Sequence, residues 1–262
     1  MAAAPPRPRA SYFVCASPRT GSTLLCDGLG RTGVVGRPIE RFDDRPQVDA
    51  RYKAALGAAD DVDYLDRAIA AATTANGIAG FKIHWHQLPV FERMVVASHA
   101  AAGAGAGDRE DYRLALLGPA RCLWLRRRDK VAQAVSLYRA SRSRVWHRRV
   151  AAPAGTPDAE ARIAYDFAEI DRLRRLCLRY ERQWDGYLRR HRVPALTIWY
   201  EILSERYEEV MRVVLDFLGF PEARVVAPAL AKLSNAESLA WIERYREDAR
   251  ARRVSTDADA LA

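Results

Sequence analysis

The 262-residue chain reads as an α/β protein, a single P-loop-like domain with a central parallel sheet flanked by helices. Three observations carry that reading. A strand-length apolar run over 11–16 passes at once into the turn Ser17, Pro18, Arg19, Thr20, Gly21, Ser22, Thr23, and a helical pattern follows from Leu24. Further strand-length runs stand at 78–85, 121–125 and 194–200, separated by helical patterns, and that alternation implies a parallel sheet covered on both faces. No internal repeat or change of composition divides the chain. The expected layout is therefore a loose tail over 1–10, one domain over 11–254 and a second tail over 255–262.

The elements follow in order. The first helix is expected to stop around Gly30 and Gly33, and 33–40 reads as a loop broken by Pro38. A helix is expected over 62–73 and another over 88–99. The small-residue stretch 100–107 has the composition of a surface loop. Asp129 is placed to cap a helix whose apolar positions include Val131, Ala134, Val135 and Leu137. A long helix is expected after Pro157 and Asp158, because Ile163, Phe167, Ile170, Leu173, Cys177, Tyr180, Trp184 and Tyr187 recur at steps of three or four. The last pattern runs from Tyr207 to Leu218, with Ser204 as its expected N-cap and Gly219 at its end.

Composition narrows the function classes. Nearly half the residues are hydrophobic, enough for a buried core, and no stretch of 18 apolar residues exists to span a membrane. The start of the chain carries no apolar signal core. Cys15, Cys26, Cys122 and Cys177 are scattered without a paired spacing, which points away from a disulfide framework or zinc site and toward a reducing cytoplasm. The net charge is +9, and only Lys53, Lys82, Lys130 and Lys232 are lysines, leaving 42 − 4 = 38 arginines. No helix-turn-helix, zinc or aromatic-basic signature accompanies the charge, so an anionic small molecule is the expected partner rather than nucleic acid.

Two segments carry chemistry. In the turn at 17–23, backbone N–H groups converge at a helix N-terminus, Gly21 permits the bend, and Arg19, Ser22 and Thr23 add donors suited to a terminal phosphate or sulfate. It is not a Walker loop, since Ser22 stands where GxxxxGK[ST] requires lysine. The second segment starts at Arg127 and Arg128, where the third strand should end, and reaches Ser136 two turns into a helix. It would lie on the same sheet edge and hold a second anionic group.

Together these segments resemble the pair that defines sulfotransferases. The chain is similar, over most of its length, to the mycobacterial trehalose 2-sulfotransferase family. The match runs through the loop from Ser17 to Leu25, Gly36-Arg37-Pro38-Ile39-Glu40, Gly80-Phe81-Lys82, Gln133-Ala134-Val135-Ser136, Arg144-Val145-Trp146 and Trp241 to Arg246. The resemblance implies that the loop (Ser17, Pro18, Arg19, Thr20, Gly21, Ser22, Thr23) holds the 5′-phosphosulfate of 3′-phosphoadenosine 5′-phosphosulfate, PAPS, while the arginine-to-serine segment holds its 3′-phosphate. Counting back from Gln133 to Ser136 puts the arginine at Arg127, whereas the spacing usual in other sulfotransferases favours Arg128. Tyr200 and Glu201 resemble a pair that approaches the adenosine, and Trp146 or Tyr245 is a candidate for stacking on a ring.

The same resemblance makes Glu40 the base for the acceptor hydroxyl, with His84 as competitor because Lys82-Ile83-His84 resembles the Lys-x-His element of cytosolic sulfotransferases. Glu40 would suit the task if burial raised its pKa toward neutrality. Arg19 would orient the phosphosulfate and Lys82 stabilise the leaving oxygen. The transferred group carries less charge than a phosphoryl group, so arginine, lysine and amide donors are expected to suffice without a metal. The chain departs from the family at Arg37 and Arg41, where an acidic and an aromatic residue are usual, and at Lys232-Leu233-Ser234-Asn235. Arginines suit carboxylates or phosphates, so the acceptor is expected to differ from trehalose: another sugar, a glycolipid or an anionic metabolite. A homodimer is implied by the resemblance alone. The competing functions are a P-loop-like kinase, which would need magnesium and ATP, and a nonenzymatic basic binding protein.

Overall fold

The computed structural model describes residues 7–103, 109–146, 148–149, 163–231 and 236–254. Strand β1 (Ala10–Ala16) is central. It pairs in parallel with β3 (Ile78–His84) on one side and β4 (Ala120–Arg126) on the other, while β2 (Ile39–Glu40) and β6 (Ala195–Trp199) form the edges. The order β2-β3-β1-β4-β6 means the chain fills one side of β1, edge strand first, and then crosses to the other side. Such a reversal opens a crevice beyond the carboxyl ends of the central strands, where ligands bind in open α/β sheets. A separate antiparallel pair joins β5 (Arg148–Arg149) to β7 (Leu230–Ala231).

Strand periodicity sorts the core. Tyr12, Val14 and Ala16 of β1 face one layer with Leu25, Leu29, Leu123, Leu125, Ile198 and Met211. That layer includes α1 (Ser22–Arg31), α8 (Tyr200–Glu205) and α9 (Tyr207–Leu218). Phe13 and Cys15 face the other, with Phe81, Ile83, Phe91, Met94 and Trp184. Here α3 (Asp61–Ala72), α4 (Leu88–Ala101) and α5 (Arg109–Leu117) cover the sheet, and the C-terminal half of α7 (Phe167–Arg190) joins them. A third cluster packs α6 (Lys130–Ser143) against α7 and α10 (Ala236–Ala251). All four cysteines are free and buried, and burial pushes the thiols of Cys26 and Cys177 up to about 12.

Several expectations need correction. The long helix begins at Phe167, capped by Asp166 through Glu169 N, and Ile163 and Tyr165 pack on the third cluster from outside it, in irregular backbone; residues 150–162 lie outside the described ones. Arg206 rather than Ser204 precedes α9, since Ser204 sits inside α8 with its hydroxyl on the Glu201 carbonyl. Gly219 does end that helix in a left-handed conformation, and Asp129 does cap α6 through Ala132 N. The stretch expected as a loose tail is pinned at its end: Arg7 pairs with Asp66, and Arg9 N bonds Gly77 O. Helix α2 (Pro46–Leu56) buries no residue, so it leaves no apolar stripe to read. The stretch 104–108 within the small-residue loop lies outside the described residues, as do 232–235 and 255–262.

The most consequential difference is at 33–40. That segment ends in β2, which adds Glu40 to the sheet edge directly opposite Lys82. Gly36 makes this possible. Its φ is +76°, and a Cβ there would stand 2.5 Å from Gly80 N and 2.9 Å from Ala79 C. Both the left-handed backbone and the close approach exclude a side chain. Gly36→Ala is therefore expected to lower unfolding stability by about 2 kcal/mol or more in urea titration.

Candidate functional site

Strand β1 delivers its last residues to the crevice, where the chain turns through Ser17 to Gly21 into α1. Gly21, at φ +81°, is the N-cap, and no side chain caps the helix. The first-turn N–H groups of α1 are thus available to an external acceptor, at the positive end of the helix dipole. A Cβ on Gly21 would lie 2.7 Å from the Tyr200 ring, so Tyr200 forms one wall of the turn. Thr20 does not point outward: it is fully buried and donates its hydroxyl to Ser17 O at 2.9 Å. Ser22 is buried as well, and Thr23 Oγ1 receives Lys82 Nζ at 3.2 Å.

Strand β4 brings the second segment to the same edge. Arg127 is the residue that turns toward the loop: its Nη1 donates to Arg19 O at 3.1 Å, and its guanidinium lies 4.5 Å from the Tyr200 ring centroid. Arg128 instead lies over Trp199, and its main-chain N–H donates to the Glu201 carboxylate at 3.0 Å. Glu201 therefore holds the β4–α6 corner through the backbone. Arg19, at φ +66°, donates from Nε to Ser136 Oγ at 2.9 Å and from Nη1 to the Trp146 carbonyl. Three candidates from distant parts of the sequence, Arg19, Arg127 and Ser136, thus converge.

Neither Arg19 nor Arg127 forms an ion pair among the described residues. Burial, with Arg127 adding to it, lowers the Arg19 guanidinium to about 10, and burial lowers Arg127 too. Arg127 Nε is buried without a hydrogen-bond partner. Two half-buried like charges placed together repel each other, and an anion between them would be favoured.

On the other side of the loop lies a second polar cluster, around Glu40. Lys82 Nζ donates to Glu40 Oε2 at 2.8 Å as well as to Thr23. The other oxygen, Glu40 Oε1, accepts from Gln87 Nε2 at 2.9 Å and stands 3.6 Å from His84 Nε2. Gln87 completes the arrangement by accepting the His84 main-chain N–H at 2.8 Å. Glu40 and His84, which sequence reasoning set against each other, are in fact neighbours. Burial would raise the Glu40 pKa, but His84, Lys82 and the hydrogen bonds outweigh it, and the carboxyl lies well below the usual carboxylate range. The expected upward shift is therefore absent in this arrangement. Burial pushes His84 down to about 4, against the pull of Glu40. His84 is neutral at pH 7.

Arg41 follows Glu40 in the chain, and Arg37 precedes β2. Arg37 is exposed; Arg41 Nε is buried and unpartnered, and burial, with Arg37 contributing, lowers its pKa. Trp146 is 44% exposed and meets the site through its carbonyl. Tyr245 does not meet the site. It is fully buried, donates to Asp171 at 2.6 Å and stacks on Phe167, because α10 turns its apolar face to α6 and α7.

Sequence reasoning missed Gln87, which sits in a short 3₁₀ turn after β3, and gave no role to Gln133, Lys130 or Glu181. All four are buried polar residues that each also bond a residue more than 40 positions away, and no local pattern marks that distant partner. Among the described residues no group of three His, Cys, Asp or Glu side chains could hold a metal ion, and no helix is long and apolar enough to cross a membrane.

The His84 environment sets a pH dependence. The unfolded imidazole, near 6.5, binds a proton more readily than the folded one, near 4, so stability is full above about pH 6.5 and declines as pH falls toward 4. Glu40 adds a further loss only below its ordinary value of 4.5. Chemical denaturation between pH 4.5 and 7 is expected to show this slope, and His84→Gln is expected to flatten it.

Residues 11–248 match the Stf0 sulphotransferase family. The chain is 29% identical to a trehalose 2-sulfotransferase of Mycolicibacterium smegmatis and 26% identical to one of Mycobacterium tuberculosis. Each alignment spans 91% of this chain and 95% of the relative. A solved sulfotransferase structure from Alicyclobacillus acidocaldarius aligns over 97% of this chain and 98% of its own, with 16% identity and a TM-score of 0.45. With the family's match running from the first strand into the last helix, the chain belongs to the Stf0 sulphotransferases.

Proposed function

We propose that the chain transfers the sulfuryl group of PAPS to a hydroxyl of a sugar or other small acceptor, without a metal. The observation that carries this reading is the pair of half-buried guanidiniums, Arg19 and Arg127, in no ion pair among the described residues and set beside an uncapped helix N-terminus. These residues fit a ligand with two separate anionic groups. Arg19 and the first N–H groups of α1 would hold the 5′ end, and Arg127 with Ser136 the 3′-phosphate. The ligand supplies an activated sulfuryl group; the protein supplies orientation and charge stabilisation. The relatives named trehalose 2-sulfotransferase support a sugar acceptor.

Lys82 links the two halves. Its ammonium stands between Thr23, on the donor side, and Glu40, on the acceptor side. An anion in the loop attracts Lys82 away from Glu40, and the carboxylate, losing its strongest hydrogen-bonded cation, becomes more basic. Glu40 is then the group that accepts the acceptor's proton, with neutral His84 beside it to receive or relay that proton. Lys82 meanwhile offsets charge on the leaving oxygen.

The unpartnered Nε of Arg41 and the neighbouring Arg37 favour an acceptor bearing a carboxylate or phosphate. In an acceptor panel containing trehalose, a uronic acid and a sugar phosphate, an anionic member is expected to give the highest kcat/KM. Trehalose as the best acceptor would remove that refinement.

Calorimetric titration with 3′-phosphoadenosine 5′-phosphate in EDTA is expected to show saturable binding; its absence would sink the donor assignment. Glu40→Gln is expected to lower turnover by about 10²–10⁴-fold while nucleotide affinity stays within a few-fold. Near-normal turnover in Glu40→Gln, with a collapse in His84→Ala, would move the base to His84.

A further inference from the structure

One amide bridges the two anion-facing segments. Gln133, near the start of α6 and fully buried, donates from Nε2 to Ser17 Oγ at 2.9 Å and to the Pro18 carbonyl at 2.8 Å. Its Oε1 accepts from Lys130 Nζ at 3.3 Å. Chemistry decides which end of the amide faces the loop. A carbonyl can only accept, so Pro18 requires the NH₂ end; an ammonium can only donate, so Lys130 requires the oxygen. Reversal would set oxygen against oxygen and NH₂ against ammonium, leaving buried groups unsatisfied on both sides.

The orientation is enforced from further back. Lys130 is buried and donates to the Glu181 carboxylate and the Arg127 carbonyl. Glu181, also buried, takes Arg126 through Nε at 2.9 Å and Nη2 at 2.7 Å. Charge on Glu181 holds Lys130, Lys130 holds the amide, and the amide spends both of its hydrogens on the loop. Ser17 Oγ is consequently an acceptor in this bond, and its own hydrogen remains to be placed. No acceptor among the described residues takes it, although Ser17 is only 3% exposed. A buried hydroxyl with its oxygen engaged and its hydrogen unspent calls for an acceptor from outside the fold.

We propose that Gln133, oriented by Lys130, is a positioning residue that makes the Ser17 hydroxyl an obligate donor to an anionic oxygen of the nucleotide. This rests on the donor assignment above. It gives a purpose to a buried polar chain that a hydrophobic core would otherwise do without.

A double-mutant cycle on the full-length protein tests it, read by calorimetry with 3′-phosphoadenosine 5′-phosphate. Ser17→Ala and Gln133→Met are each expected to weaken binding about tenfold, the scale of one hydrogen bond to a charged group. In the Ser17→Ala background, Gln133→Met is expected to cost less than twofold more. With PAPS as substrate, Gln133→Met is expected to raise KM about tenfold and lower kcat by less than threefold, a split that general loosening of the fold would not give. Gln133→Glu keeps the shape but can only accept, so it draws the Ser17 hydrogen onto itself; its penalty is expected to be larger with Ser17 present than in Ser17→Ala. This second cycle decides the matter if Gln133→Met folds poorly. Additive losses in the cycle overturn the role of Gln133 while leaving the donor assignment intact. Failure of the unmodified protein to bind the nucleotide overturns both.

Discussion

Two guanidinium groups, Arg19 and Arg127, stand half-buried together at the carboxyl edge of the sheet, and neither forms an ion pair among the described residues. Like charges withdrawn from water repel, and each carries a desolvation cost. The rest of the site can be understood as what makes this arrangement tolerable. Tyr200 offers its ring to Arg127, the carbonyls of Arg19 and Trp146 accept guanidinium hydrogens, and Ser136 takes another. None of these partners neutralises charge, so the field that remains is directed into the crevice. A carboxylate there would have stabilised the ligand-free protein and weakened its hold on an anion.

A buried carboxylate lies one layer back. Glu181 lies buried behind the site with Lys130 and Arg126, and Arg126 is further flanked by Trp124 and Trp199. Removing either partner of such a buried pair typically costs about 3–5 kcal/mol, because the other charge is left alone. The pair ties α7 to the β4–α6 corner. Trp184 of α7 donates to Ala16 O, at the point where β1 gives way to the loop. Helix α7 thus supports both anion-facing segments without contributing a group to either.

The acceptor side follows a different logic. Glu40 is held by Lys82 and Gln87 and lies against His84, in a pocket where its side chain is 33% exposed. The stable state is a tightly bound, weakly basic carboxylate. Of the two side chains that donate hydrogen bonds to Glu40 among the described residues, Lys82 also donates to Thr23 in the loop after β1, so one ammonium joins the carboxylate to that loop.

Much of this was legible in the residues themselves. Strand-length apolar runs marked β1, β3, β4 and β6, and helical periodicity marked α1, α3, α4, α6, α7 and α9, because an element with an apolar face records its burial locally. The loop from Ser17 to Thr23 was equally plain, since a strand, a glycine turn and a helix in succession need no distant partner to define them. What the tertiary structure alone decided was how groups far apart in the chain are oriented. It turned Arg127 rather than Arg128 to the loop, set Glu40 against Lys82 through a two-residue strand, placed His84 beside Glu40, sent Tyr245 into the core, and lowered the Glu40 pKa where burial alone would have raised it. Sequence determines which hydrogen-bonding and charged groups are present, and local periodicity determines which face each element buries. The protonation and direction of those groups depend on distances of about 3 Å between segments dozens to more than a hundred residues apart, and only the packed sheet sets them.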